Sequence, residues 1–223
     1  MWWNKKIKYD DLKRMLDKEL LEYFRNKSFL RYADELIYKR RTEFGFEIFE
    51  LDYSLLNEEL KIGFGLRFNE IENIYRQIYN IELPENSLTL FIDAGNLLYF
   101  KDAKKAKFKF KRFEDVKVGA ENVRFVFENY AIFYFKKYDS LAKFSELVNR
   151  TRYHEDLRGN FQFHGSKFDA AVNGIIASKI LKEKETEDYK RKHLANDQSE
   201  DLKSAFKLIE EYFDKMVENN NKI

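Results

Sequence analysis

Rings and charges alternate residue by residue through the middle of this chain, and that pattern restricts its fold more than any other feature. Lys61-Ile62-Gly63-Phe64-Gly65-Leu66-Arg67-Phe68 alternates polar or small with apolar, and so does Lys105-Ala106-Lys107-Phe108-Lys109-Phe110-Lys111. Successive side chains of a strand point to opposite faces, so the pattern predicts a sheet with one apolar face and one polar face. Aromatic residues are 17% of the chain, so the core is expected to be built largely from rings.

Strands are predicted over Leu36–Arg41, Glu43–Tyr53, Leu60–Phe68, Leu88–Asp93 and Lys105–Phe113. In the second, the parity shifts midway. Phe44, Phe46 and Ile48 share one side, and Phe49, Leu51 and Tyr53 the other, so either both faces are covered or a bulge shifts the register. Gly63 and Gly65 leave room on the third strand for another backbone or a ring. Asn69 with Glu72 reads as a capping box for a short helix.

Helices flank these strands. Leu12, Met15, Leu16, Leu20, Tyr23 and Phe24 fall on one face of an opening helix, with Asp10 and Asp11 at its positive end. After the strands come a long aromatic helix over Glu121–Lys136, a shorter one capped by Asp139 or Ser140, a nearly apolar one over Phe168–Leu181 and an amphipathic one over Asp201–Val217. Ala170, Gly174 and Ala177 form a small-residue seam on the apolar helix, and Lys182–Asn196 is a charge run. Strands followed by helices predict an α+β fold with an antiparallel meander sheet of about five strands, an N-terminal helix and a C-terminal helical region. Residues 1–150 are read as the α+β domain and residues 151–223 as a helical extension packed on it.

The local sequence along this order resembles the bacterial family called domain of unknown function 4304. The likeness lies in Tyr23-Phe24-Arg25-Asn26-Lys27-Ser28-Phe29 followed by Tyr38-Lys39-Arg40-Arg41, in the meander up to Gly63-Phe64-Gly65-Leu66-Arg67-Phe68, and in Glu128-Asn129-Tyr130-Ala131-Ile132-Phe133-Tyr134-Phe135 with Lys136-Lys137-Tyr138-Asp139-Ser140-Leu141 after it. It spans roughly the first two thirds of the chain. The resemblance implies a fold, and no activity that could be assigned to a residue here. Some relatives look like accessory or immunity-type proteins encoded near bacterial toxins.

Motifs that carry chemistry are sparse. Without cysteine, disulfides, thiol catalysis and thiolate metal sites are excluded. His154, His164 and His193 are the only histidines, and none is one helical turn from another, so no metal site is expected. The catalytic candidates are Asp93, at a strand end before Ala94-Gly95, and His154 with Asp156 and His164 in one polar connection. Against them stand plain readings, a turn and a polar loop. Ser140-Leu141-Ala142-Lys143 and Ser204-Ala205-Phe206-Lys207 both match Ser-x-x-Lys without the motifs that accompany an acyltransferase. Phe68 occupies the place of a third glycine after Gly63 and Gly65, so there is no dinucleotide fingerprint, and no cofactor is expected.

Candidate partner-binding residues are Trp2, Trp3, Lys105, Lys107, Lys109 and Lys111. The tryptophans are a hot-spot residue type. The lysines read as protection of a sheet edge, or as phosphate contacts beside Phe108 and Phe110. A net charge of +2, from 41 basic and 39 acidic residues, lacks the basic excess of a general nucleic-acid binder. No apolar run is long enough to span a bilayer and no signal core is seen, so a cytoplasmic location is expected. The leading expectation is a non-enzymatic protein-binding domain, of an accessory or toxin-immunity kind. The alternatives are a small hydrolase near Asp93 or His154/Asp156, and nucleic-acid binding through Lys105–Lys111.

Overall fold

The computed structural model describes residues 8–32, 35–54, 59–84, 87–94, 103–110, 114–150 and 167–220. Helix α1 (Tyr9–Arg25) buries Leu12, Leu16, Leu20 and Phe24, one residue per turn, as its periodicity predicts. It stops where Ser28 takes a left-handed conformation (φ 63°) and the Phe29 amide donates back to the Phe24 carbonyl at 2.9 Å.

The chain then winds into an antiparallel meander of β1 (Leu30–Tyr32), β2 (Ile37–Arg41), β3 (Gly45–Ser54), β4 (Glu59–Phe68) and, after helix α2 (Asn69–Tyr79), β5 (Leu90–Asp93). The fold is α+β. β1 is a strand the alternation did not announce, since three residues are too few to show a period. β3 and β4 pair without a break from Gly45↔Phe68 to Ser54↔Glu59, so no bulge explains the parity shift in β3. Both faces are covered there: Ile48 and Phe49 are each fully buried.

The capping box expected at Asn69 is not formed. Asn69 is the first residue of α2, and its Oδ1 accepts from Arg67 Nε at 3.1 Å. Glu72 Oε1 accepts from Thr89 Oγ1, which itself accepts from the Phe68 amide at 3.0 Å. The Asn69 amide donates to the Phe44 carbonyl at 2.9 Å. Neighbouring segments therefore take up the Phe68 and Asn69 amides at this helix end in place of a local cap. Buried Arg67 also donates to the carbonyls of Pro84 and Ser87, both at 3.1 Å, which fixes the turn after α2.

Of the predicted strand Lys105–Phe113, residues 111–113 lie outside the described ones, and the described part is mostly not strand. Ala103–Ala106 form one helical turn, α3, and among the described residues Lys107–Lys109 form β6, which pairs with the Glu59 end of β4. Beyond it, α4 (Asp115–Val126), a π-helical turn (Phe127–Ala131) and α5 (Ile132–Lys137) follow one another. Phe127, in the wide turn, meets Phe24, Phe29 and Phe49 edge-on at 5.1, 5.2 and 5.2 Å. One face of the sheet thus packs on α1 and this helix through rings.

Ser140 caps α6 (Leu141–Ser145), its Oγ accepting from the Lys143 amide at 3.3 Å, and a second π-helical turn, Glu146–Arg150, continues it. Helices α7 (Lys167–Ile180), α8 (Thr186–Asn196) and α9 (Glu200–Asn220) complete the helical region. The expected seam on α7 is used: a methyl group on Gly174 would stand 2.5 Å from Asn149 Oδ1 and 2.8 Å from Val148 Cγ2. One continuous cluster of buried apolar side chains runs from α1 through the sheet to α7 and α9. The expected boundary near residue 150 falls beside residues 151–166, outside the described ones.

Candidate functional site

Trp2, Trp3, Lys111, His154, Asp156 and His164 lie outside the described residues. The lysine row does not form as one strand face. Lys105 is in α3, with its Nζ 3.5 Å above the Phe125 ring. Lys107 stands opposite Lys61 in the ladder and exposed Lys109 opposite Glu59. Phe108 and Phe110 pack on α4, where a methyl group on Gly119 would be 2.7 Å from each ring. Phe110 is buried and Phe108 half-buried against the core, so the pair is not laid out as an open stacking platform. In the first Ser-x-x-Lys match, Lys143 Nζ is 2.7 Å from Asp139 Oδ1, so that ammonium is paired with a carboxylate.

Asp93 is in a more informative place. It ends β5 opposite Gly63 of β4, and Gly63 is opposite Glu50 of β3. Residues directly opposite one another share a face. Glu50, Gly63 and Asp93 therefore form one rung on the far side of the sheet from α1 and α4. Two strand spacings separate the Glu50 and Asp93 backbones, roughly 10 Å. Gly63 leaves a gap between them that two neighbours enter: a methyl group there would meet Phe91 Cε2 at 2.6 Å and Glu50 Oε1 at 2.9 Å. The close approach of a ring that the glycines predicted is that of Phe91.

Electrostatics single out Glu50. It is half-buried, and exposed Asp52 follows two residues along on the same face. Burial, then the charges of Asp52, Glu35 and Asp93, push its carboxyl up to about 7. No cation is paired with it among the described residues. The sequence singled out Asp93 but not Glu50. Nothing in the local pattern separates Glu50 from any other charged residue on a strand, since its role depends on cross-strand register.

The sign of the linkage gives a test. A carboxyl whose folded value lies above its unfolded value of 4.5 contributes stability that is present below pH 4.5 and lost as pH rises through about 7. Glu50→Gln should therefore raise stability by about 1–3 kcal/mol near pH 8 and change little near pH 4. Urea unfolding at the two pH values measures this; equal effects at both would show that the Glu50 charge is not destabilised.

A second polar cluster is buried between the second π-helical turn, α7 and α8. Asn149 Nδ2 donates to Ser145 Oγ at 3.0 Å and to the Gly174 carbonyl at 2.8 Å, and its Oδ1 is 3.0 Å from His193 Nε2. Burial, with Lys192 adding to it, pushes His193 down to about 4, so the ring is neutral at pH 7. All of these groups hold one another, which marks a structural network. Among the described residues no group of three or more His, Asp or Glu side chains is arranged to hold a metal ion. No helix among them is long and apolar enough to cross a membrane.

Compared with protein families, with curated proteins and with solved structures, this chain gives no match.

Proposed function

We propose that this chain is a non-enzymatic protein-binding domain, and that the Glu50–Asp93 rung receives a basic side chain from its partner. The rung itself carries the reading. Glu50 faces three carboxylates and has no paired cation among the described residues, and the Phe91 ring lies beside it. A guanidinium placed beside Glu50 gains a charge-assisted contact, relieves the repulsion on it and lies next to an aromatic face. The resemblance to the domain of unknown function 4304 family supports an accessory or toxin-immunity version, in which the partner is a protein encoded beside this chain.

Titration calorimetry with that purified neighbour tests the reading. Glu50→Gln combined with Asp93→Asn should weaken binding about tenfold or more, while Lys109→Gln leaves it unchanged. Equal affinity for the wild type and the double variant would remove the rung from the interface.

A second reading has one observation in its favour. A carboxyl that titrates near neutral pH stands across one rung from a second carboxylate, the pairing that general acid–base hydrolysis uses. It expects a bell-shaped pH–rate profile that disappears in Glu50→Gln. Nucleic-acid binding through Lys105–Lys111 has less behind it, because Lys105 is helical, Phe110 is buried and Phe108 is half-buried against the α4 side of the core.

A further inference from the structure

A groove of about 450 Å³ lies between the β2–β3 turn, α2, the start of α6 and the last turns of α9. Its volume is in the range that holds a few side chains of a ligand. The floor is apolar. Half-buried Phe44 stacks on Phe68, which is buried beneath it, with ring centroids 4.7 Å apart, and half-buried Leu141 and exposed Met216 extend the apolar surface. Met216 is 44% exposed, so part of this apolar lining faces water.

The walls are fixed in advance. The Gly45 amide donates to Thr42 Oγ1 at 3.1 Å, and the Thr42 amide to the Gly45 carbonyl at 2.9 Å. Gly45 has a φ of 152°, a conformation that side chains resist, so the turn that presents Glu43 and Phe44 depends on glycine. On the other side, Tyr212 Oη donates to Gln77 Oε1 at 2.8 Å and ties α9 to α2.

Charge identifies the occupant. Glu43 and Glu70 stand on the rim, both exposed and neither in an ion pair with any described residue. No Lys or Arg is among the described lining residues. The exposed amides of Asn73 and Gln77 add hydrogen-bonding capacity. An apolar floor under an unpaired acidic rim is complementary to an apolar side chain flanked by cations, and it disfavours an acidic segment.

We infer that this groove is a docking site for a basic amphipathic segment of another protein, with a Leu- or Phe-type side chain against Phe44, Leu141 and Met216 and a Lys or Arg against Glu43 and Glu70. The site rests on the protein-binding reading but not on the sheet rung, so the two can fail separately.

Amide NMR titration with two synthetic probes tests it: a short amphipathic Lys/Leu peptide and its Glu/Leu counterpart. The Lys/Leu peptide should shift the side-chain amides of Asn73 and Gln77, and the Glu/Leu peptide should not. Glu43→Gln with Glu70→Gln should weaken the Lys/Leu peptide about tenfold, with thermal unfolding lowered only slightly, since both side chains are exposed and unpaired and Glu70 gives up only its place in the first turn of α2. Glu50→Gln should leave the peptide's affinity alone. Equal binding of the two peptides, shifts scattered over the surface, or full affinity in the double variant would each overturn the inference. Loss of the peptide's affinity in Glu50→Gln but not in the groove variant would assign it to the sheet rung instead.

Discussion

Phe24→Ala should destabilise the fold by about 3–5 kcal/mol, the largest loss expected from any single truncation in the aromatic core. Phe24 is fully buried, and it joins three elements. Its ring stacks on Tyr38 of β2 at 4.0 Å, lies 5.3 Å from Phe49 of β3 and meets Phe127 edge-on at 5.1 Å. Truncation removes the transfer free energy of the ring and leaves a cavity whose walls are themselves rings on a sheet and a helix. Such walls collapse poorly, so the cost falls at the upper end for a core residue. Phe133→Ala is the control: Phe133 is 64% exposed, and its loss should stay within about 0.5 kcal/mol. Denaturant unfolding of both variants decides the matter. A Phe24→Ala cost below about 1 kcal/mol would mean that rings do not dominate this core.

That ring cluster was legible in the sequence. Alternation placed Phe49 and Leu51 on one face of a strand, and four-residue spacing placed Leu12, Leu16, Leu20 and Phe24 on one face of a helix, where the structure has them. The π-helical turn that brings Phe127 against Phe24 was not legible. It widens the helix by one residue in a stretch where rings occur on every side, so apolar spacing carries no mark of it. The Asn69–Glu72 box failed for a related reason. The residue types were right, but Thr89 and the Phe44 carbonyl, distant in sequence, took over those hydrogen bonds. Lys105 sits in a helical turn and not in the expected strand, with its ammonium over Phe125, a contact that alternation cannot register.

The candidate site divides in the same way. Asp93 stood out by its place before a turn, and Gly63 by its missing side chain. Glu50 entered only through register, since the rung joins residues 50, 63 and 93 by strand pairing that no local window contains. The acidic rim of the groove was equally hidden. Glu43 and Glu70 read as ordinary surface charges until the β2–β3 turn and the start of α2 bring them to one opening.

Asn149→Leu should cost about 2–4 kcal/mol, although leucine is similar in size and more apolar. The site is fully buried, and the amide serves three groups: Ser145 Oγ, the Gly174 carbonyl and His193 Nε2. Ser145 keeps a partner in Glu183, to which it donates at 3.0 Å, whereas the His193 N–H loses its acceptor. Orphaning that donor, with the strain of a branched side chain facing the Gly174 seam, sets the cost. The wild type also carries a pH signature. With His193 depressed from 6.5 to about 4, its contribution is present above pH 6.5 and lost as pH falls towards 4, because the unfolded chain takes up a proton that the folded ring resists. His193→Leu should remove that component of the pH profile. In the double variant both halves of the hydrogen bond are apolar, so the combined cost should fall below the sum of the two single costs by about 1–3 kcal/mol. Strictly additive costs in that cycle would show that Asn149 and His193 do not depend on each other, and the network would reduce to ordinary packing.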